Sequence, residues 1–111
     1  MKKIYVHIGL PKTGTSFLQS AFALNSNRYK NRGLIYSDYD DNFSDAELGK
    51  TTSGNSSRLA AAAGIAGLRT IKPIDLSAFI TNLDHGYNHL LSSEWLAACP
   101  KEFLTNFERR L

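Results

Sequence analysis

His7-Ile8-Gly9-Leu10-Pro11-Lys12-Thr13-Gly14-Thr15-Ser16-Phe17-Leu18 decides the fold of this chain. An apolar segment runs into a turn carrying Gly9, Pro11 and Gly14, and two hydroxyl residues, Thr15 and Ser16, open the next segment. Upstream, Ile4, Val6 and Ile8 alternate with Tyr5 and His7, which reads as a strand. A buried parallel strand tolerates apolar residues on both faces. Downstream, residues 15–24 read as a helix, with Phe17, Ala21 and Leu24 on one stripe and Leu18 and Phe22 beside it. A strand that enters a helix through a glycine-containing turn aims backbone N–H groups at one point. That is how an anion cradle is built.

Working outward, Asn25, Ser26 and Asn27 are expected to stop the first helix. Residues 33–37 read as a short second strand. Residues 37–55 are polar and rich in Asp, Ser, Thr and Gly, a long loop whose acidic side chains are expected on a solvated face. Ser56-Ser57 is placed to cap a helix through Arg58, Leu59 and the four alanines 60–63, with Gly64 and Gly67 weakening its end. Asp75 is placed to cap another, with Leu76, Phe79, Ile80 and Leu83 on one face. Residues 88–93 read as a third strand. Pro100 suits the first turn of a last helix, with Phe103, Leu104, Phe107 and Leu111 as its buried stripe.

The order β-α-β-loop-α-α-β-α implies a parallel sheet with helical crossovers. The expected fold is α/β, a three-layer P-loop-like parallel sheet flanked by helices. It is read as a single domain over 1–111, the N-terminal part of a larger α/β domain ending after the third strand and one more helix.

The chain has 111 residues and a formal net charge of +3, which suits an anionic ligand but falls far short of the basic stripe of a nucleic-acid binder. Cys99 is the only cysteine, so no intrachain disulfide forms, which fits a cytoplasmic location. No apolar stretch reaches the ~20 residues of a membrane span. No Cys/His cluster has metal-ligand spacing, so no metal is expected.

Gly9 and Gly14 satisfy the first part of a nucleotide-binding P-loop, but the next two residues are Thr15 and Ser16 rather than Lys and a hydroxyl. The lysine lies inside the loop, at Lys12. A nucleotide triphosphatase uses its lysine on the β/γ-phosphates and a hydroxyl on Mg²⁺, so ATP hydrolysis is not expected. The run from Pro11 to Leu18 resembles the 5′-phosphosulfate-binding loop of sulfotransferases that use 3′-phosphoadenosine 5′-phosphosulfate (PAPS). Gly54-Asn55-Ser56-Ser57 and Leu90-Leu91-Ser92-Ser93-Glu94 are similar, less specifically, to bacterial members. The resemblance implies that Lys12 stabilises the leaving 5′-phosphate. It also implies that Pro11, Thr13, Gly14, Thr15 and Ser16 form the rest of the cofactor loop, with N–H and hydroxyl donors to that phosphate from Thr13 onward. It implies a 3′-phosphate site, held by an arginine after a later strand and a serine on the next helix; Arg109 and Arg110 do not match that motif.

Transfer to a hydroxyl or amine acceptor requires a general base. Glu94, at the expected C-terminal end of the third strand, is the first candidate, because open α/β sheets put their sites there. The alternative is that Glu94 caps the next helix, with its carboxylate near the N–H groups of Ser92 or Ser93. His85 and His89 are lesser candidates, and His7 reads as a packed strand residue within reach of the phosphate. Ser92 and Ser93 lack the G-x-S-x-G elbow of a serine nucleophile. Three functions are compatible with these residues: a PAPS-dependent sulfotransferase, a P-loop kinase-like phosphotransferase, or a non-catalytic module of the same fold that binds a nucleotide or a protein partner.

Overall fold

The computed structural model describes residues 3–8, 15–50, 52 and 54–111, with the side chains of 15–17 left undescribed. Three strands, β1 (Ile4–His7), β2 (Leu34–Ile35) and β3 (Asn88–Ser92), form one sheet in the order β1-β3-β2. Both neighbours run parallel to β3: Ile4 lies opposite His89, His7 opposite Ser92, and Leu34 opposite Asn88. Parallel neighbours force long crossovers, and these hold the helices α1 (Thr15–Leu24), α2 (Ser26–Lys30), α3 (Phe43–Glu47), α4 (Ser57–Ala61) and α5 (Leu76–Thr81). A 3-10 turn at Glu94–Ala98 and the helix α6 (Lys101–Arg110) come after β3. The α/β class and the parallel sheet expected from the sequence are thus observed.

Successive side chains of a strand point to opposite faces, so Leu90 and Leu91 belong to different cores. Leu91, 1% exposed, joins Leu59, Ala60, Phe79, Leu83, Leu96 and Phe107 beneath α4, α5 and α6. Leu90 packs with Ala23, Tyr36, Phe22 and Phe43 beneath α1 and α3. The second core is mainly aromatic: Tyr36 stacks on Phe43 at 5.4 Å and meets Phe22 edge-on at 5.6 Å. Burial pushes the Tyr36 hydroxyl pKa well above its ordinary value, with the charges of Asp40 and Asp38 adding to the shift.

Several local expectations hold. Asp75 caps α5, accepting from Ala78 N at 3.1 Å, and Gly64, at φ +77, lies just past the end of α4. Phe103, Phe107 and Leu111 face the larger core, whereas Leu104 stays 38% exposed. Others differ. The buried stripe of α1 runs through Gln19, Phe22 and Ala23, while Leu24 is exposed. The helix turns that way because Gln19 hydrogen-bonds to β3. The first helix ends before Asn25 as expected, with Asn25 Nδ2 donating to Ala21 O at 2.8 Å, but Ser26 and Asn27 open a second helix, α2, instead of a loop.

The segment expected to be a long solvated loop contains α3, capped by Asp38, which accepts from Asn42 N at 2.8 Å. Asp40 in the same segment caps α4. Its carboxylate accepts from Ser57 N at 2.7 Å and Arg58 N at 3.0 Å. The Ser56 hydroxyl, expected to cap, donates instead to Asn55 Oδ1. Burial pushes the Asp40 pKa above the ordinary aspartate value, and the N–H groups of Arg58 and Ser57 oppose that shift.

Among the described residues, no helix is long and apolar enough to cross a membrane.

Candidate functional site

The C-terminal ends of β1 and β3 meet in a buried polar network centred on Ser92. The register that sets His7 opposite Ser92 brings their side chains to the same face of the sheet. His7 Nδ1 lies 2.8 Å from Ser92 Oγ, and Gln19 Nε2, from α1, donates to the same oxygen at 3.0 Å. The Gln19 amide nitrogen only donates, so the Ser92 hydroxyl proton is free to go to His7 Nδ1. The Ser92 oxygen can also accept from both side chains, so the contact is made in either tautomer of His7. Phe22 packs edge-on against the imidazole at 5.5 Å and fixes its plane. One residue, Ile8, separates His7 from the segment 9–14.

Asn55 ties the same strand end to the start of α4. Its Oδ1 accepts from Ser92 N at 2.9 Å and from Ser56 Oγ at 2.8 Å. Its Nδ2 donates to Ser37 O at 2.9 Å and Leu90 O at 3.1 Å. The backbone N–H groups of Asn55 and Ser56 both donate to Ser92 O, at 2.9 and 3.2 Å. Gly54 makes this approach possible: at φ +91, a Cβ there would stand 2.0 Å from the Ser92 carbonyl oxygen and 2.9 Å from Gln19 Nε2. Ser57 Oγ lies 3.2 Å from Ser93 Oγ and adds a second bridge between α4 and β3. Gln19, Asn55, Ser56, Ser92 and Ser93 are each 2% exposed or less.

Glu94, the candidate base, stands next to this network as the first residue of the 3-10 turn and is half-buried. The capping alternative does not hold. Ser93 caps the turn with its own hydroxyl, which accepts from Trp95 N at 3.2 Å. The two N–H groups that Glu94 would have capped are taken: Ser92 N by Asn55 Oδ1 and Ser93 N by His7 O at 3.2 Å. Glu94 borders a cavity of about 310 Å³ together with Trp95, Ala97 and Ala98.

The loop residues Pro11, Lys12, Thr13 and Gly14 lie outside the described residues. Thr15 and Ser16 are the first two residues of α1, and their side chains are not described. His85 is exposed before β3. His89 is buried on the other face of the sheet from Ser92, with Nε2 2.8 Å from Asp84 O, and does not join the His7–Ser92 network.

Two members of this site are easily undervalued from sequence. Gln19 is a polar residue in the most apolar stretch of α1, and that mismatch is its available signal. His7 is the one residue of β1 without strand preference, and its ring is held in place rather than merely packed.

Comparison of the chain with protein-family models, curated proteins and solved structures returned no match.

Proposed function

We propose that this chain is a sulfotransferase domain of P-loop-like fold that transfers a sulfuryl group from PAPS to a hydroxyl or amine acceptor. The observation that carries the reading is positional. The run resembling a phosphosulfate loop joins the C-terminal end of β1 to the N-terminus of α1. A strand end on one side and a helix N-terminus on the other are what an anion-binding loop requires.

The acceptor oxygen or nitrogen attacks sulfur, and the bond between sulfur and the bridging oxygen breaks. Its electrons pass to the departing 5′-phosphate, and the acceptor proton goes to Glu94. Lys12 neutralises the charge that grows on the leaving group, and the positive end of α1 adds to it. His7, whose ring is held by Ser92, stands one residue before the loop. Ser92, Gln19 and Asn55 are positioning residues: they hold the His7 ring and the end of β3 and touch no reacting atom.

Calorimetric titration with 3′-phosphoadenosine 5′-phosphate and with Mg-ATP tests the reading. The adenosine bisphosphate is expected to bind wild type, and Lys12→Ala is expected to weaken it by about tenfold or more, the worth of one charge-assisted contact. Binding of Mg-ATP alone would replace the reading with a kinase-like one. Binding of neither would leave a non-catalytic module.

A further inference from the structure

Charge is divided unevenly along the chain. Residues 1–37 hold six lysines and arginines and no aspartate or glutamate, whereas all ten acids come later, together with seven bases. The fold gathers much of that positive charge at one end of the sheet. Arg28 and Lys30 lie on α2, and Arg32 lies just before β2. Asn88, the first residue of β3, donates its N–H to Gly33 O at 2.9 Å, and its side chain accepts from Lys3 N at 2.9 Å. Lys3 and Arg32 therefore stand on either side of one strand start, and Lys3, Arg28, Lys30 and Arg32 are all exposed. Asp84, in the turn leading into β3, has its carboxylate on Gly86 N at 2.9 Å and lines a cavity on the opposite face of the sheet.

A cleft of about 540 Å³ opens between Asn25, Arg28, Tyr29, Asn31 and Arg32. Among the described residues, no acid lines it. By contrast, a cleft of about 350 Å³ beside α6 holds Lys101 and Arg109 together with Glu102, which offsets part of their charge. We propose that the Arg28–Arg32 cleft docks a carboxylate-rich segment of a partner protein. Each guanidinium presents a planar fork that pairs a carboxylate through two N–H groups, and Lys30 and Lys3 extend the positive field beyond the cleft. The dipole of a five-residue helix accounts for one cation at its end, not for three cations without an acid. A nucleic-acid strand fits less well, because the Tyr29 ring is committed edge-on to Phe22 at 6.4 Å and offers no platform for a base. A lipid surface also fits less well, because α2 exposes no large apolar side chain to insert. The ten residues of α1 put about 15 Å between this cleft and the end of the sheet that carries the anion loop. The docking surface is therefore separate from that loop and does not rest on the sulfotransferase reading.

Octaglutamate and octaglutamine have the same backbone and nearly the same side-chain shape, and only the first carries charge. Octaglutamate titrated into the ¹⁵N-labelled full chain at low salt is expected to give saturable shifts of the Nε resonances of Arg28 and Arg32, and octaglutamine none. The double variant Arg28→Gln/Arg32→Gln is expected to weaken octaglutamate binding by about tenfold or more, the worth of one or more charge-assisted contacts. Both side chains are exposed, so its urea midpoint is expected to match wild type. Lys101→Gln/Arg109→Gln and Lys12→Ala are each expected to leave the affinity unchanged. Four results would each overturn the proposal: no saturable binding of octaglutamate, equal binding of octaglutamine, a loss with Lys101→Gln/Arg109→Gln as large as with the Arg28 and Arg32 pair, or a comparable loss with Lys12→Ala. Tighter binding of oligothymidylate or of phosphatidylserine vesicles than of octaglutamate, lost with the Arg28 and Arg32 pair, would replace the protein partner by a nucleic acid or a membrane.

Discussion

The two faces of the sheet are built on different principles. Beneath α4, α5 and α6, Leu91 anchors a broad apolar core whose members pack without directional bonds. Beneath α1 and α3 the apolar core is small, and the C-terminal half of that face is held by hydrogen bonds among His7, Gln19, Asn55 and Ser92. An apolar core tolerates volume-conserving exchange, whereas a saturated polar network does not. One face thus carries general stability, and the other fixes the relative positions of β1, β3, α1 and α4 around the loop.

The sharpest way to break this contrast is Asn55→Ala. It leaves Ser92 N, Ser37 O and Leu90 O buried without their side-chain partner. A loss of about 4 kcal/mol is expected by urea unfolding, from several unsatisfied groups at 1–3 kcal/mol each. A loss under about 1 kcal/mol would mean that the network does not hold the fold.

Next come the neighbours Leu91 and Leu90, one on each face. Leu91→Ala is expected to cost about 3 kcal/mol, and Leu90→Ala about 1.5 kcal/mol because its surroundings are only partly closed. Equal losses would erase the difference between the two cores.

The smallest effect is electrostatic. The Asp40 pKa in the folded chain lies above the ordinary aspartate value of 3.8. Between those two values the native state holds the proton more tightly than the unfolded state. Asp40 therefore makes stability fall as pH rises through that window and adds no slope above it. The urea midpoint of wild type relative to that of Asp40→Asn, taken across the window, should fall as pH rises. A constant difference would show that Asp40 does not titrate anomalously.

Much of the frame was legible because its causes are local. The alternation over Ile4–Ile8, the Asp75 cap and the Pro100 helix start each lie within a few residues of what they determine. The unread parts depend on distant partners. Nothing near Asp40 in sequence announces that it caps a helix starting 17 residues later. The buried stripe of α1 could not be chosen from periodicity alone, because a hydrogen bond from Gln19 to a residue 73 positions away decides it. Glu94 has two equal roles open to it in the sequence, and only the other partners of the Ser92 and Ser93 N–H groups remove one of them.

The pairing of β1 with β3 also bears on how the chain is made. His7 and Ser92 are 85 residues apart, and among the described residues β2 likewise pairs only with β3. A ribosome therefore releases both outer strands long before either has a neighbour to pair with. Until β3 emerges, the apolar side chains of Ile4, Val6 and Ile8 have no sheet to join, and even in the finished fold Val6 remains 50% exposed. Contacts of such long range close slowly, and an unpaired apolar strand recruits other chains in the meantime. Yield from the cell should accordingly depend on synthesis temperature and chaperone supply more steeply than equilibrium stability does.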